Sequence, residues 1–193
     1  MSADFSDVPA DDILSFAAQY PLGWIVPAAD PSAALLMPLL IETDAAGNPA
    51  SVFGHLPKRA AATDILRREG SAVFLFLGAN AYIPPAWISK EGWAPTWNFL
   101  SLKVRAAATQ VNEALTRPAV ERLVDHMEAR AGSGWTVEQL GPRYEQLLGG
   151  IIGFRSPVLS LEPRFKLGQD ETNEVHDEIR RALGDHPLAG WME

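Results

Sequence analysis

Apolar positions along this chain follow two different periods. Across residues 9–20, Ile13, Phe16, Ala17 and Tyr20 recur at helical spacing. Pro9 suits a first-turn position, Asp11 and Asp12 favour the positive end of the helix dipole, and Pro21 stops the helix. Residues 22–26, 34–42 and 50–55 then read as strands. The turn cluster at 44–49 predicts a hairpin between the last two. An alanine-rich stretch at 60–69, with Ile65, Leu66 and a following Gly70, predicts a short helix. Residues 72–77 and 99–111 are the clearest strands, the second alternating Leu100, Leu102 and Val104 with Ser101, Lys103 and Arg105. Residues 118–131 form an amphipathic helix with Thr116 as its cap, Gly132 after it, and Val120, Leu123, Val124 and Met127 on one face. Residues 137–148 are helical with a break at Gly141-Pro142. Further strand pieces fall at 150–155, 158–162 and 164–167. Residues 173–183 read as an exposed, charged helix, followed by a loose tail at 185–193.

Six to eight short strands separated by turns favour an antiparallel barrel or sandwich over a parallel sheet. The expected class is therefore mainly β with flanking helices (α+β). One domain spans 1–193, with a helical insertion at about 116–148 and a C-terminal helix at about 173–183.

Residues 79–99 break both periods. They hold Trp87, Trp93 and Trp97, three of the six tryptophans, together with Tyr82, Pro84, Pro85 and Pro95. Proline fixes φ and removes a donor, so the segment reads as a rigid aromatic loop between two strands. Such a loop either docks a flat conjugated ligand or partner, or seals a barrel end with tryptophan.

Charge and composition narrow the chemistry. The net charge of −8 argues against a broad grip on nucleic acid, and no direct nucleic-acid binding is expected. The absence of cysteine removes disulfides, thiolate metal sites and a cysteine nucleophile, and fits a cytoplasmic protein. The first eight residues lack the basic and apolar regions of a signal peptide, and no apolar run is long enough to span a bilayer.

No dinucleotide or nucleoside-triphosphate glycine loop is present, and none of the four histidines sits in a zinc-hydrolase motif. No metal site and no catalytic acid or base is assigned. Lys58 and Arg59, beside His55 and just before a helix, could receive a phosphate or simply be solvated. Lys103 and Arg105 share one strand face, facing either solvent or an anion pocket. Trp97-Asn98 offers an aromatic plane beside an amide that both donates and accepts, which suits a heterocycle edge. Lys166 and Gln169 place another cation and amide together.

Several short runs occur in a telling order: Gly54-His55-Leu56, Ala81-Tyr82-Ile83, Trp87, Pro95-Thr96-Trp97-Asn98-Phe99, Ile151-Ile152-Gly153-Phe154 and Lys166-Leu167-Gly168-Gln169-Asp170. In this the chain resembles the PaiB-like FMN-binding negative transcriptional regulators, a branch of the split-barrel flavoproteins. The resemblance implies an FMN-binding split β-barrel, a homodimer, and FMN near the subunit interface. It implies His55, Tyr82, Trp87, Trp97, Asn98, Lys166 and Gln169 as pocket residues, to which the charge argument adds Lys58 and Arg59. The chain departs from the family pattern at Ala60-Ala61-Ala62-Thr63, at Leu35-Leu36, at 77–80, and at Pro84 and Pro85, where polar groups are common. Two expectations follow: an FMN-dependent redox or regulatory protein, or a cofactor-free dimer acting through protein contacts.

Overall fold

The computed structural model describes residues 4–192. Residues 1–3 and 193, and with them the start of the N-terminal reading, lie outside the described residues. Seven strands form one antiparallel sheet: β1 (Leu22–Pro27), β2 (Leu35–Thr43), β3 (Pro49–Pro57), β4 (Ala72–Ile83), β5 (Thr96–Ala106), β6 (Gln110–Asn112) and β7 (Ile151–Lys166). Their order is β3-β2-β1-β4-β5-β7-β6, and an additional β3–β7 pairing closes six of them into a barrel. Closure leaves those strands without free edges.

The three strand pieces expected after residue 150 are one strand. β7 changes partners along its length: residues 151–157 pair with β3, and 158–166 with β5. The change falls at Pro157, whose carbonyl accepts a hydrogen bond from Ala107 N at 3.3 Å. Proline removes a donor but keeps an extended φ, so it suits such a bend.

Strict alternation along β5 sends Asn98, Leu100, Leu102 and Val104 inward and Trp97, Lys103 and Arg105 outward. Inside, Phe74 and Phe154 stack at 5.8 Å with planes 6° apart. Full burial of side chains of this size contributes about 1.5–3 kcal/mol each. α1 (Ala10–Gln19) lays Ile13, Phe16 and Ala17 on the barrel. β4 bulges between Leu77 and Asn80 beneath it. A Cβ on Gly78 would sit 2.5 Å from Phe16 Cε2, so glycine makes room for that ring. α2 (Ala61–Glu69) ends at Gly70, which takes the left-handed conformation at φ 67°, as its sequence predicts.

The remaining helices correct several readings. α3 (Thr116–Ala131) begins two residues early, with Pro118 in its first turn. Thr116 does not cap it; its Oγ1 accepts the Gly153 N–H at 3.0 Å instead. Met127 is exposed rather than packed. Residues 137–148 split at Gly141 into a short turn and α4 (Arg143–Leu148). α5 (Asn173–Leu183) is not an exposed helix, because Val175, Ile179 and Leu183 recur every four positions and are buried. The tail is not loose: Leu188 and Met192 are buried, and Trp191 meets Phe165 edge-on at 5.6 Å.

Candidate functional site

The aromatic loop is shorter than its sequence suggests. β4 continues to Ile83 and β5 starts at Thr96, so residues 80–83 pair with 96–99 and the loop is confined to 84–95. The pairing sets Tyr82 directly opposite Trp97, with ring centroids 5.9 Å apart and planes at 59°. The Trp97 indole N–H donates to Asn80 Oδ1 at 3.3 Å. Tyr82 and Trp97 are 49% and 52% exposed, on the outside of the barrel. Lys166 lies opposite Phe99, and its Nζ donates to Thr96 Oγ1.

The same register extends down the outer face. Leu77, Ser101 and Arg164 form one row across β4, β5 and β7. The next row crosses five strands: Leu36, Trp24, Leu75, Lys103 and Glu162. Lys103 and Glu162 form an ion pair there. A groove of about 520 Å³ runs between Leu75, Ser101, Lys103, Leu161, Glu162 and Arg164.

Loop 84–95 is tied to α5 and to the turn just before it. Trp93 Nε1 donates to Glu171 Oε1 at 2.9 Å, and Ser89 N donates to Glu178 Oε2 at 2.9 Å. Hydrogen bonding from Ser89 holds the Glu178 carboxyl below its ordinary range. Trp87 sits in the short turn Pro85–Trp87, partly exposed.

The other expected site residues lie elsewhere. Asn98 points into the barrel and is 0% exposed; both its amide atoms lack partners among the described residues. Its Nδ2 would lie 3.6 Å from a Cβ built on Gly168. Gln169 braces its own loop, accepting from Leu167 N at 2.7 Å and donating to Phe165 O at 2.5 Å. His55 is opposite Gly153 on β7, thirteen positions before Lys166 on that strand. Burial lowers the His55 pKa, and its Nδ1 is buried without a partner among the described residues. Lys58 is paired with Glu113 at 2.9 Å, and Arg59 is exposed. The structure therefore brings Tyr82, Trp97 and Lys166 together and leaves His55, Lys58 and Arg59 by the start of α3.

Sequence reading missed Asn80, Ser101 and Arg164 as members of the outer face. Alternation signals which side each strand presents, but register decides who stands beside whom, and register depends on the bulge at 77–80. It also missed a carboxylate cluster. Glu42 receives Arg155 Nε at 2.6 Å, Arg155 Nη2 at 3.0 Å, Ser51 Oγ at 2.6 Å, and Arg122. Both guanidiniums stand over Phe53, at 4.8 and 4.9 Å from its ring centre. Burial pushes the Glu42 carboxyl up, but the hydrogen bonds from Arg155, Ser51 and Arg122 outweigh it and hold its pKa at about 2.

The family model described as "Putative FMN-binding domain" matches residues 1–160. The chain belongs to that family. Among curated proteins it is similar to "Protease synthase and sporulation protein PAI 2" of Bacillus subtilis, 27% identical over 97 residues. That match takes in 50% of this chain and 46% of the relative, so the chain aligns with less than half of that protein's length. Among solved structures it is similar to the conserved hypothetical protein Rv2991 from Mycobacterium tuberculosis. The TM-score is 0.56 at 12% identity, over 90% of this chain and 96% of that one. It is also similar to the FAD and heme binding protein from Mycobacterium smegmatis, with a TM-score of 0.58 at 9% identity, over 91% and 78%. At these identities the likeness is one of fold: an antiparallel β-barrel with flanking helices, shared with split-barrel proteins.

The donor set of the outer face fits a flavin. Exposed aromatic rings, a serine hydroxyl and a guanidinium without an acidic partner among the described residues share one surface. At the 58–59 end Lys58 is paired with Glu113, as Lys103 is with Glu162 on the outer face. No helix among the described residues is long and apolar enough to cross a membrane.

Proposed function

We propose that this protein binds FMN and serves as a flavin-linked redox or regulatory protein in the cytoplasm. The observation that carries the reading is the exposed Tyr82–Trp97 pair across β4 and β5, the second of which also presents Ser101 and Lys103. Aromatic planes of this kind stack on flat heterocycles and leave the heterocycle edge to nearby amides. A bound flavin supplies the redox chemistry itself. The protein's own residues orient the ring and fix the anionic tail. Of the family-implied positions, Tyr82, Trp87, Trp97 and Lys166 are the ones that the outer face offers to a ligand.

The same reading makes the protein a homodimer. Leu36, Trp24 and Leu75 are consecutive in one cross-strand row, with Leu22 and Leu77 beside them, all exposed. An apolar row this long on a sheet face is the kind of surface a second copy covers. Equilibrium sedimentation at micromolar concentration reads it: a species of twice 21.0 kDa supports the dimer, and a monomer removes it.

One observation favours a second reading, a cofactor-free dimer that acts through protein contacts. Ala62 and Thr63, where the family carries polar groups, are buried, and the Thr63 hydroxyl is spent on the Pro57 carbonyl at 2.8 Å. The visible spectrum of purified protein, repeated after FMN addition and desalting, separates the two. Flavin bands near stoichiometry support the first reading. A colourless protein that retains no FMN supports the second.

A further inference from the structure

We propose that the barrel end beneath the turn at Gly168 holds one buried water molecule, bound by the Asn98 amide beside Gly168 and His176. The site lies on the inner face of β5, opposite the face that exposes the Trp97 ring. It does not depend on whether a flavin binds. Its role is to join β5 to the turn that anchors the aromatic loop.

Asn98 sets the demand. Its amide can both donate and accept, and the side chain is 0% exposed. Neither the amide nitrogen nor the oxygen has a partner among the described residues. A buried amide left in that state is destabilising, and native proteins satisfy such groups with protein partners or with ordered water. The neighbouring backbone is already engaged. Register pairs Phe99 with Lys166, so the next residue in line with Asn98 is Leu167. The Leu167 N–H donates to Gln169 Oε1 at 2.7 Å, and Gln169 Nε2 donates to the Phe165 carbonyl at 2.5 Å. The Gly168 carbonyl accepts from Glu171 N at 3.0 Å, which leaves it one lone pair.

Gly168 supplies the room. It takes the left-handed conformation at φ +84°, and a Cβ built on it would stand 3.6 Å from Asn98 Nδ2, 3.5 Å from His176 Cδ2 and 3.9 Å from Ile179 Cδ1. Any other residue would set its side chain against the amide, whereas glycine leaves that side open to a small molecule. A buried water makes about three hydrogen bonds and needs a polar site. The partners offered here are the Asn98 amide, the remaining lone pair of the Gly168 carbonyl, and Nε2 of His176, the ring atom next to the Cδ2 that faces Gly168. Ile179 and Leu167 are buried around the site and separate it from bulk solvent. Glu171, three residues after Gly168, accepts the Trp93 indole N–H. A water that holds Gly168 to Asn98 therefore also steadies the aromatic loop.

The test follows the side-chain amide protons of Asn98 by NMR in the full chain, with water-selective rotating-frame Overhauser spectra and no added ligand. The expected result is a dipolar cross-peak between those protons and a water that stays longer than the protein takes to tumble. Asn98 amide protons that are protected from exchange yet show no water cross-peak overturn the proposal. Asn98→Leu keeps the size of the side chain and removes its polar atoms. Oxygen-17 relaxation dispersion should count one long-lived water fewer in this variant than in wild type, and an unchanged count overturns the site. Backbone amide exchange at 84–95 and 168–172 should rise about threefold in the variant while the core strands keep their protection. A lost water with unchanged exchange in those segments overturns its role in holding the loop. If Asn98→Leu does not fold, the cross-peak in wild type decides the site on its own.

Discussion

Trp93 donates its indole N–H to the Glu171 carboxylate at 2.9 Å, joining two residues 78 positions apart. With the Glu178–Ser89 contact, it fixes the aromatic loop at two points, one on α5 and one in the turn just before it. The Trp93–Glu171 contact is a part-buried hydrogen bond to a charged acceptor, worth about 1 kcal/mol. In Glu171→Ala, amide exchange within residues 84–95 is expected to rise about fivefold while core strands keep their protection. Unchanged exchange in the loop would show that packing alone holds it.

Gly153 is expected to tolerate no side chain. A Cβ there would lie 2.2 Å from the Leu115 carbonyl carbon and 2.5 Å from Thr116 N, all of it backbone. Gly153→Ala must push the start of α3 off β7 and stretch the Thr116 bond to Gly153 N. The expected loss is about 3 kcal/mol, a melting temperature lower by roughly 10 °C. Gly149→Ala, whose Cβ meets nothing closer than 3.2 Å, serves as the milder comparison in the same urea and thermal unfolding experiments.

Glu42 makes part of the stability acid-sensitive. Its carboxyl titrates at about 2 in the folded protein against 4.5 ordinarily, so the folded state binds fewer protons between those values. Stability from this group is full above about 4.5 and fades as the pH falls towards about 2. Glu42→Gln is expected to cost about 1–2 kcal/mol at neutral pH, because two guanidiniums lose their carboxylate. The gap between variant and wild type should close as the pH falls through that window, as read by urea unfolding at several pH values.

His55 acts in a neighbouring window. Burial lowers its pKa from 6.5, so the unfolded chain takes up its proton first. Its contribution is present above 6.5 and declines as the pH falls below it. The ring resonances of His55 in an NMR titration should therefore move with a midpoint below 6.5. A midpoint at or above 6.5 would contradict the burial.

The barrel was legible in the sequence because its signals are local. Alternation at 99–106, the turn at 44–49 and the glycine after α2 each act within a few residues. The candidate face was legible only in part. Tyr82, Trp97 and Lys166 stand out by composition, yet their meeting depends on a bulge that shifts β4 by Gly78 and Ala79. Nothing local announces that shift; it is set by Phe16 filling the space above Gly78. The ion pair of Lys58 was hidden for a similar reason, since its partner Glu113 is 55 positions away in sequence. The buried stripe of α5 was hidden by the charged residues between Val175, Ile179 and Leu183.

The change of partners along β7 bears on how the chain folds during synthesis. β3 pairs Ser51 with Pro157, and β5 pairs Phe99 with Lys166, so both seams wait for the same late strand. Until residue 166 emerges, β3 and β5 carry open edges with unmatched backbone groups. Closing over such sequence separations is slow, because the loop entropy is lost before the contacts form. A nascent or truncated chain ending before Ile151 would expose two sticky edges flanking an apolar sheet, a species prone to self-association and a natural client for chaperones.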